Sequence, residues 1–130
     1  MYDVHMIDHL AIIPDGNRRW SRARGLSVRE GHAAGIRQMG VMAKTAFACG
    51  VNTFTFWWGS PANLTRRTPQ EVEDIVDVLN TWLCTDGAEL VQDLACQFHV
   101  MGRWKDLASG IGPGVQRCRD AQGLGPRKIC

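Results

Sequence analysis

The chain has 130 residues, of which 45% are apolar and 22% are charged, and its formal net charge is +2. This composition is that of an ordinary globular protein, and it excludes disordered and collagen-like chains. A chain of this length buries enough surface to form a hydrophobic core without disulfide bonds, so we expect one domain.

Short apolar segments alternate along the chain with amphipathic ones. Residues 7–14, 51–58 and 97–101 have the composition of buried strands, and turn-forming residues follow the first two. Between the strands, apolar residues recur every three or four positions, which predicts helices at about residues 30–49 and from residue 69 onward. The chain therefore reads strand, helix, strand, helix, strand.

The helix ends carry their own signals. Gly50 suits the end of the first helix, because helix C-termini favour a residue that tolerates positive φ. Thr68 is the predicted N-cap of the second helix, with Pro69 at its first position and Glu71 completing a capping box. We expect Gly87 to break or bend this helix, with residues 88–96 as its continuation.

This order of elements predicts the α/β class. Right-handed crossovers between successive strands give a parallel sheet that is flanked by helices on both faces. Ligands bind such sheets at the carboxyl ends of the strands, and both polar clusters described below fall at strand ends.

The end of the chain has a different composition. Residues 102–130 contain six of the fourteen glycines, and their six bases against two acids give a local charge of +4. We predict that residues 1–121 form the domain and that residues 122–130 are a disordered tail.

Cysteines and apolar stretches bear on the cellular compartment. The five cysteines are odd in number, form no C-x-x-C pair and mostly lie in apolar helical patterns, so we predict reduced, buried thiols. Residues 1–6 lack the order of a signal peptide, and no stretch approaches the roughly 18 apolar residues of a membrane span. We therefore predict a cytoplasmic protein.

Charge is distributed unevenly. Residues 18–37 contain six arginines against one acid, whereas residues 71–93 contain seven acids and no base. Arginine suits phosphate, on a nucleic acid or on a small ligand, because its guanidinium group binds phosphate oxygens in pairs. We do not expect nucleic acid as a partner, since the aromatic residues of a stacking platform are missing. The acidic run is typical of a solvated helix face.

The first polar cluster follows the first strand and comprises Asp15, Gly16, Asn17, Arg18, Arg19 and Trp20. A glycine allows close backbone approach to a ligand, the amides at a helix start attract anions, and two arginines add charge. The pattern is that of a diphosphate site, although it contains no Walker motif. An ordinary turn with solvated arginines is the alternative. Asp15 is a candidate Mg²⁺ ligand, and His32 is a candidate phosphate donor.

The second cluster follows the second strand and contains Ser60, Asn63, Arg66 and Arg67. It should lie on the same rim of the sheet as the first cluster. Turn chemistry explains Ser60 and Asn63 as well as function does. No residue forms a recognisable activated nucleophile.

Together these segments resemble the cis-prenyltransferases, the enzymes similar to undecaprenyl diphosphate synthase. The resemblance rests on the run from His9 to Trp20, on Arg24-Gly25-Leu26, on Gly31-His32 with Ala34-Gly35, and on Phe54-Thr55-Phe56 with Ser60 and Asn63. It covers roughly residues 7–105, and several motifs occur in the family's order. The fold it implies is an incomplete version of the family's α/β fold.

The resemblance implies an activity and its substrates. Isopentenyl diphosphate, or a second dimethylallyl diphosphate, condenses with an allylic diphosphate, and diphosphate is released. Such a protein binds isoprenyl diphosphates and Mg²⁺, and it can associate transiently with membranes through its product. A wall of Ile12, Phe54, Phe56 and Trp57 would shield the allylic cation from water.

The resemblance also implies roles for particular residues. Asp15 matches the aspartate that handles Mg²⁺ and the departing diphosphate. Asn17 and Ser60 match residues near the abstracted proton. The remaining matches are substrate-binding residues: Gly16, Arg18, Arg19, Trp20 and His32, with Asn63 and one of Arg66 or Arg67 in a mobile loop.

Several positions depart from the family pattern. Arg18 replaces a usual glycine, Val28 replaces a common arginine, and Leu64 stands where tryptophan is common. Trp57 and Trp58 are bulkier than the usual residues and favour a short, even irregular, product. Family members are also longer, and these 130 residues contain neither the Arg-x-Ser-Gly motif nor the metal-binding glutamate of the second half.

Three hypotheses follow. The chain is a prenyltransferase that is truncated or completed by a homodimer or partner subunit, or it is a non-catalytic diphosphate-binding subunit, or it is an arginine-rich nucleic-acid binder. In the first case, a prenyltransferase without its second half would have an exposed strand edge and exposed apolar surface.

Overall fold

The computed structural model describes residues 7–130, apart from the side chains of residues 107–109. The first six residues, which lack a signal-peptide pattern, lie outside this range. The strands are β1 (His9–Ile12), β2 (Thr53–Phe56), β3 (Gln97–Phe98) and β4 (Lys128–Ile129). The α-helices are α1 (Asn17–Arg22), α2 (Val28–Ala48), α3 (Pro61–Thr65), α4 (Pro69–Trp82), α5 (Ala88–Asp93) and α6 (Ala108–Ala121). A π-helical stretch spans Leu83–Gly87 and a 3₁₀ turn spans Trp104–Leu107.

The strands form one parallel sheet in the order β1-β2-β4-β3. Its register places Leu10, Phe54, Ile129 and Phe98 side by side on one face. That face joins a core with residues of α2, α4, α5 and α6. The predicted α/β class and parallel sheet are confirmed.

The opposite face of the sheet is open within residues 7–130. His9, Ala11 and Lys128, which alternate with the core residues along their strands, are exposed. The helical layer therefore covers one face in the described part of the chain, and the predicted helices on the second face are not seen there. As expected, β1 is an edge strand of this sheet, and Ile13 beyond it is 71% exposed.

The predicted disordered tail is wrong for Lys128–Ile129. This segment is β4, and it pairs with β2 on one side and β3 on the other. Gly123 and Gly125 lie against the backbone of Ala95, so closely that a Cβ atom at either glycine would meet the Ala95 oxygen at 2.5 Å. The composition of residues 122–130 did not predict this strand, because β4 is ordered by pairing with strands that are distant in the sequence.

Side-chain caps begin both long helices. Ser27 caps α2 in a full capping box with Glu30, so α2 begins at Val28, two residues before the predicted start. The Oγ1 atom of Thr68 accepts a hydrogen bond from the Glu71 amide at 3.2 Å, as predicted for α4. The predicted return bond from the Glu71 side chain is absent, because that carboxylate binds arginines instead.

The second helix is widened rather than broken at its glycine. Gly87 ends the π-helical stretch that links α4 to α5, and a Cβ atom there would meet the Trp82 ring at 2.8 Å. Such single π turns occur within otherwise regular helices. Within residues 7–130, no helix combines the length and apolar character required to cross a bilayer.

All five cysteines are free thiols, as predicted. Burial raises the pKa of Cys96 to about 11 and that of Cys118 to about 12, so both stay protonated at neutral pH. Cys49 is exposed, however, so the prediction of burial does not hold for every cysteine.

The two residues of β4 test the correction to the tail. Ile129→Ala removes a core side chain and should destabilise the protein by about 2–5 kcal/mol, whereas Lys128→Ala on the open face should change stability by less than about 0.5 kcal/mol. Urea unfolding followed by circular dichroism measures both. Equal unfolding midpoints for the two variants would show that the segment does not contribute to the core.

Candidate functional site

Two adjoining depressions lie at the carboxyl ends of β1 and β2. The first, which we call the apolar cleft, has a volume of about 370 Å³. The second, which we call the arginine hollow, has a volume of about 360 Å³. The side chains that line the cleft and not the hollow are mostly apolar: Ile13, Ile36, Phe56, Trp57, Trp58, Leu64 and Ile75, together with the carboxamide of Asn63. Those that distinguish the hollow are Arg18, Arg19 and Arg22.

A common wall joins the two depressions. Asp15, Asn17, His32 and Arg67 line both of them. These residues come from the loop after β1, the start of α1, the start of α2 and the segment before α4. The predicted meeting of the two polar clusters on one rim is therefore observed.

The loop after β1 depends on glycine. Gly16 precedes α1 with a φ of +96°, a left-handed conformation that residues with a Cβ atom rarely adopt. This turn places Asn17 at the first position of α1 and leaves Asp15 outside the helix. The Asp15 carboxylate accepts a hydrogen bond from Arg19 Nη2 at 3.0 Å, but both side chains are largely exposed, so the pair adds little stability.

A single carboxylate, that of Glu71, pairs with two of the arginines that line the hollow. Oε1 of Glu71 accepts a hydrogen bond from Arg67 Nη1 at 3.2 Å, and Arg18 Nε lies 3.5 Å from the same atom. The Glu71 side chain is only 14% exposed. It therefore links α1 to the first turn of α4 and reduces the repulsion between the two arginines.

His32 is held in its neutral form. Its Nε2 atom lies 3.2 Å from Arg67 Nη1. Because a guanidinium group only donates, Nε2 is the acceptor, and the ring proton is then on Nδ1. Burial lowers the pKa of His32 below its ordinary value, and the charge of Arg67 lowers it further, while Glu71 opposes the shift.

Three of the predicted site residues line neither depression. The Oγ atom of Ser60 accepts a hydrogen bond from the Asn63 amide at 3.2 Å, which caps α3. Trp20 is 40% exposed, with the Arg24 guanidinium group 4.5 Å from its ring centre. Arg66 is exposed at the end of α3. Of the two alternatives Arg66 and Arg67, the structure therefore brings Arg67 to the site.

The predicted apolar wall is partly right. Phe56 and Trp57 line the cleft. Phe54 does not, because it is 1% exposed within the core, and Ile12 packs against the same core. Phe54 and Phe56 lie on the same face of β2, but Phe54 is two residues further from the carboxyl end of the strand and is enclosed by the core, whereas Phe56 ends the strand beside the cleft.

Sequence reasoning missed Arg22, which lines the hollow, and the role of Glu71, which forms ion pairs with two of the arginines that line it. Arg22 lines it because, on a helix, it lies one turn beyond Arg18 and Arg19. Glu71 was predicted only as part of a cap, although its spacing of four residues from Arg67 was a usable signal for an ion pair.

The donors available for a metal ion are few. No cluster of three or more His, Cys, Asp or Glu side chains suited to a metal ion occurs in the described part of the chain. Among the residues that line the cleft and the hollow, Asp15 is the one carboxylate. The site therefore fits a cation that takes a single protein carboxylate and other oxygen ligands from its substrate, as Mg²⁺ does.

Comparison with known proteins identifies the family. A family model described as "Putative undecaprenyl diphosphate synthase" matches residues 13–123. The chain belongs to the undecaprenyl diphosphate synthase family. This finding confirms the resemblance to cis-prenyltransferases.

Relatives of the chain carry related names. It is 33% identical over 117 residues to isoprenyl transferase 1 of Bradyrhizobium diazoefficiens, a match that covers 90% of this chain and 47% of the relative. It is 37% identical over 83 residues to (2Z,6E)-farnesyl diphosphate synthase of Thermobifida fusca, covering 61% of this chain and 32% of that enzyme.

A solved structure shows the same fold. Lavandulyl diphosphate synthase from Lavandula x intermedia, in complex with dimethylallyl diphosphate, matches with a TM-score of 0.78 and 29% identity. The match covers 95% of this chain and 53% of that one. The chain thus spans about half the length of family members such as isoprenyl transferase 1.

The environment of His32 predicts a pH dependence of stability. Its pKa in the folded state lies below the value of about 6.5 expected when unfolded, so as the pH falls through 6.5 the unfolded state binds a proton first. The free energy of unfolding should therefore decrease below about pH 6.5 and level off below the folded pKa.

Unfolding by urea between about pH 7.5 and 5.5 measures this effect. His32→Gln retains an acceptor near Arg67 but does not titrate, so its decrease should be smaller. His99→Gln is the control, because His99 is exposed. The same decrease in His32→Gln as in the wild type would contradict the assignment.

Proposed function

We propose that this chain binds an isoprenyl diphosphate across the junction of the apolar cleft and the arginine hollow, and that it carries out, or contributes to, prenyl transfer. The observation that supports this most strongly is the common wall of Asp15, Asn17, His32 and Arg67. Membership of the chain in the undecaprenyl diphosphate synthase family favours an isoprenyl diphosphate over a nucleic acid as the ligand.

The arginine hollow suits the diphosphate group. Four arginines line it against one carboxylate, so its potential is strongly positive. Guanidinium groups bind phosphate oxygens in pairs, and His32 presents its Nδ1 proton as a further donor when neutral. The relative solved with dimethylallyl diphosphate supports a ligand of this class.

The apolar cleft suits the isoprenyl group. Phe56, Trp57 and Trp58 end the second strand segment and form part of its lining, together with Ile36 and Ile75. An allylic cation forms more readily where apolar walls exclude water. The two bulky tryptophans favour a short allylic substrate, in line with the departure seen in the sequence.

The reaction requires neutralisation of the charge on the leaving diphosphate more than it requires a nucleophilic residue. The double bond of isopentenyl diphosphate, or of a second dimethylallyl diphosphate, attacks the allylic carbon; the carbon–oxygen bond breaks; diphosphate leaves with the electron pair; and a proton is lost. Arg19, Arg22 and Arg67 would stabilise the departing diphosphate. Asn17 would orient the substrate at the junction, and Ser60, which caps α3, retains its proposed role near the lost proton.

Asp15 is the proposed magnesium ligand. Its carboxylate is largely exposed and turns toward both depressions, with Arg19 as its partner at 3.0 Å. Mg²⁺ takes one or two carboxylates together with phosphate oxygens, and when bound it neutralises charge on a leaving diphosphate.

Further properties are proposed from the family relationship. We propose a homodimer or a partner subunit as the assembly; of the two, a different subunit would supply the groups that lie in the other half of the relatives, because a second copy repeats these 130 residues. We propose a cytoplasmic location with transient membrane association through the hydrophobic product.

Binding and turnover test the proposal separately. Dimethylallyl diphosphate should quench the fluorescence of Trp57 and Trp58, and the corresponding alcohol should bind far more weakly. Radiolabel from isopentenyl diphosphate should pass into a hydrophobic product when Mg²⁺ is present. Binding without transfer at any Mg²⁺ concentration would favour a diphosphate-binding subunit, and the absence of both would overturn the proposal.

Neighbouring arginines provide a matched pair. Arg67→Ala should weaken binding of dimethylallyl diphosphate by about tenfold to a hundredfold, because a hydrogen bond between charged groups is lost. Arg66→Ala should change the dissociation constant by less than about twofold, since Arg66 lines neither depression. Fluorescence titration measures both constants, and equal losses would show that only overall charge matters.

Asp15 can be tested without disturbing the fold. Asp15→Ala should lower turnover by about a hundredfold or more, and it should abolish any Mg²⁺-dependent gain in diphosphate affinity. Its melting temperature should equal that of the wild type, because the side chain is 86% exposed. Asp86→Ala, at an exposed acid outside the site, is the control. Near-normal turnover and Mg²⁺ response in Asp15→Ala would remove Asp15 from the mechanism.

A further inference from the structure

The side chain of Asn17 lies directly over a glycine of α2. A Cβ atom at Gly35 would meet Asn17 Oδ1 at 2.6 Å, Nδ2 at 2.7 Å and Cγ at 2.9 Å. Side-chain atoms of folded proteins do not approach a Cβ atom that closely. The carboxamide therefore occupies the volume that a side chain at position 35 would fill.

A second glycine on the same helix has a different neighbour. One turn earlier, a Cβ atom at Gly31 would meet the Asn17 backbone oxygen at 2.5 Å and Ser21 Cβ at 2.8 Å. Gly31 thus lets the backbone of α1 approach α2, whereas the three atoms nearest to a Cβ atom at Gly35 all belong to the Asn17 side chain. Substitutions at the two glycines therefore distinguish the position of α1 from the position of the Asn17 carboxamide.

We propose that Gly35 is a positioning residue for Asn17. The missing side chain at position 35 determines where the carboxamide lies in the wall shared by the apolar cleft and the arginine hollow. The consequence for turnover rests on the proposed function, but the contact itself does not. Gly35 also lines the cleft, but the backbone fixes the direction of a Cβ atom, so a methyl group there meets the Asn17 side chain unless that side chain moves.

The position of Asn17 should matter for rate more than for affinity. The three atoms nearest to a Cβ atom at Gly35 all belong to Asn17, and none belongs to the charged groups that would hold the diphosphate, such as Arg19 and Arg67. A displacement of about 1 Å in a group that orients a reacting substrate can cost about a hundredfold in rate. Gly35→Ala should therefore lower kcat by about tenfold or more and change the KM for the allylic diphosphate by less than about threefold.

The control is the same substitution further along α2. A Cβ atom at Gly40 would meet the Trp82 ring at 3.2 Å and no residue of the site. Gly40→Ala should therefore keep kcat within about twofold of the wild type, whatever it does to stability. A loss of kcat in both variants would assign the effect to general disturbance of α2 and would overturn the proposal.

A thermal double-mutant cycle tests the contact without any turnover. Gly35→Ala should lower the melting temperature by several degrees, and adding Asn17→Ala should restore part of the loss, because shortening Asn17 removes the overlap. In the Gly40→Ala background, Asn17→Ala should have the same effect as in the wild type. An additive cycle at Gly35 would overturn the proposal.

The two possible failures are distinguishable. If the wild-type chain transfers no prenyl group but the cycle shows coupling, the contact between Gly35 and Asn17 is supported and prenyl transfer by this chain alone is contradicted. If the wild type is active and Gly35→Ala has a normal kcat, the positioning role fails and the proposed function stands.

Discussion

The site depends on the balance of charge around one nearly buried carboxylate. Arg18 and Arg67 come from different parts of the chain, and without an acid between them their repulsion would separate α1 from the start of α4. Glu71 forms ion pairs with both, and Arg67 also donates a hydrogen bond to His32. Three segments are thus tied together at the rim. Because Glu71 is 14% exposed, these interactions are screened less by water than the surface pairs of the chain are.

That arrangement creates an asymmetric site. On one side, four guanidinium groups line a hollow, and two carboxylates, Asp15 and Glu71, offset part of their charge. On the other, aromatic and aliphatic side chains line a cleft of similar size. An amphiphile with an anionic head and a short apolar tail satisfies both sides at once. Neither water alone nor a purely ionic ligand does so. The junction therefore restricts the class of ligand more than either depression does by itself.

Local patterns predicted much of the fold. The apolar periodicity predicted α2 and α4, and capping residues placed the start of α4 at Pro69. Composition predicted β1 and β2 because these strands are buried on one face and bounded by turn residues. It failed at β4, where two residues in a polar, glycine-rich segment become a strand only between two neighbours. Pairing of that kind depends on residues far away in the sequence and leaves no local pattern.

The sequence by itself determined which groups stand at the end of the first strand: a glycine, a carboxylate, a carboxamide and an excess of arginine, which are residue types that suit the proposed diphosphate and Mg²⁺. The tertiary structure decided which side chains meet. It brought Arg67 and not Arg66 to the wall, added Arg22, turned Glu71 from a cap into an ion-pair partner, and seated Asn17 over Gly35. The physical reason is that residue type determines what a group can bind, whereas the distances between groups arise from the packing of helices that are remote in sequence.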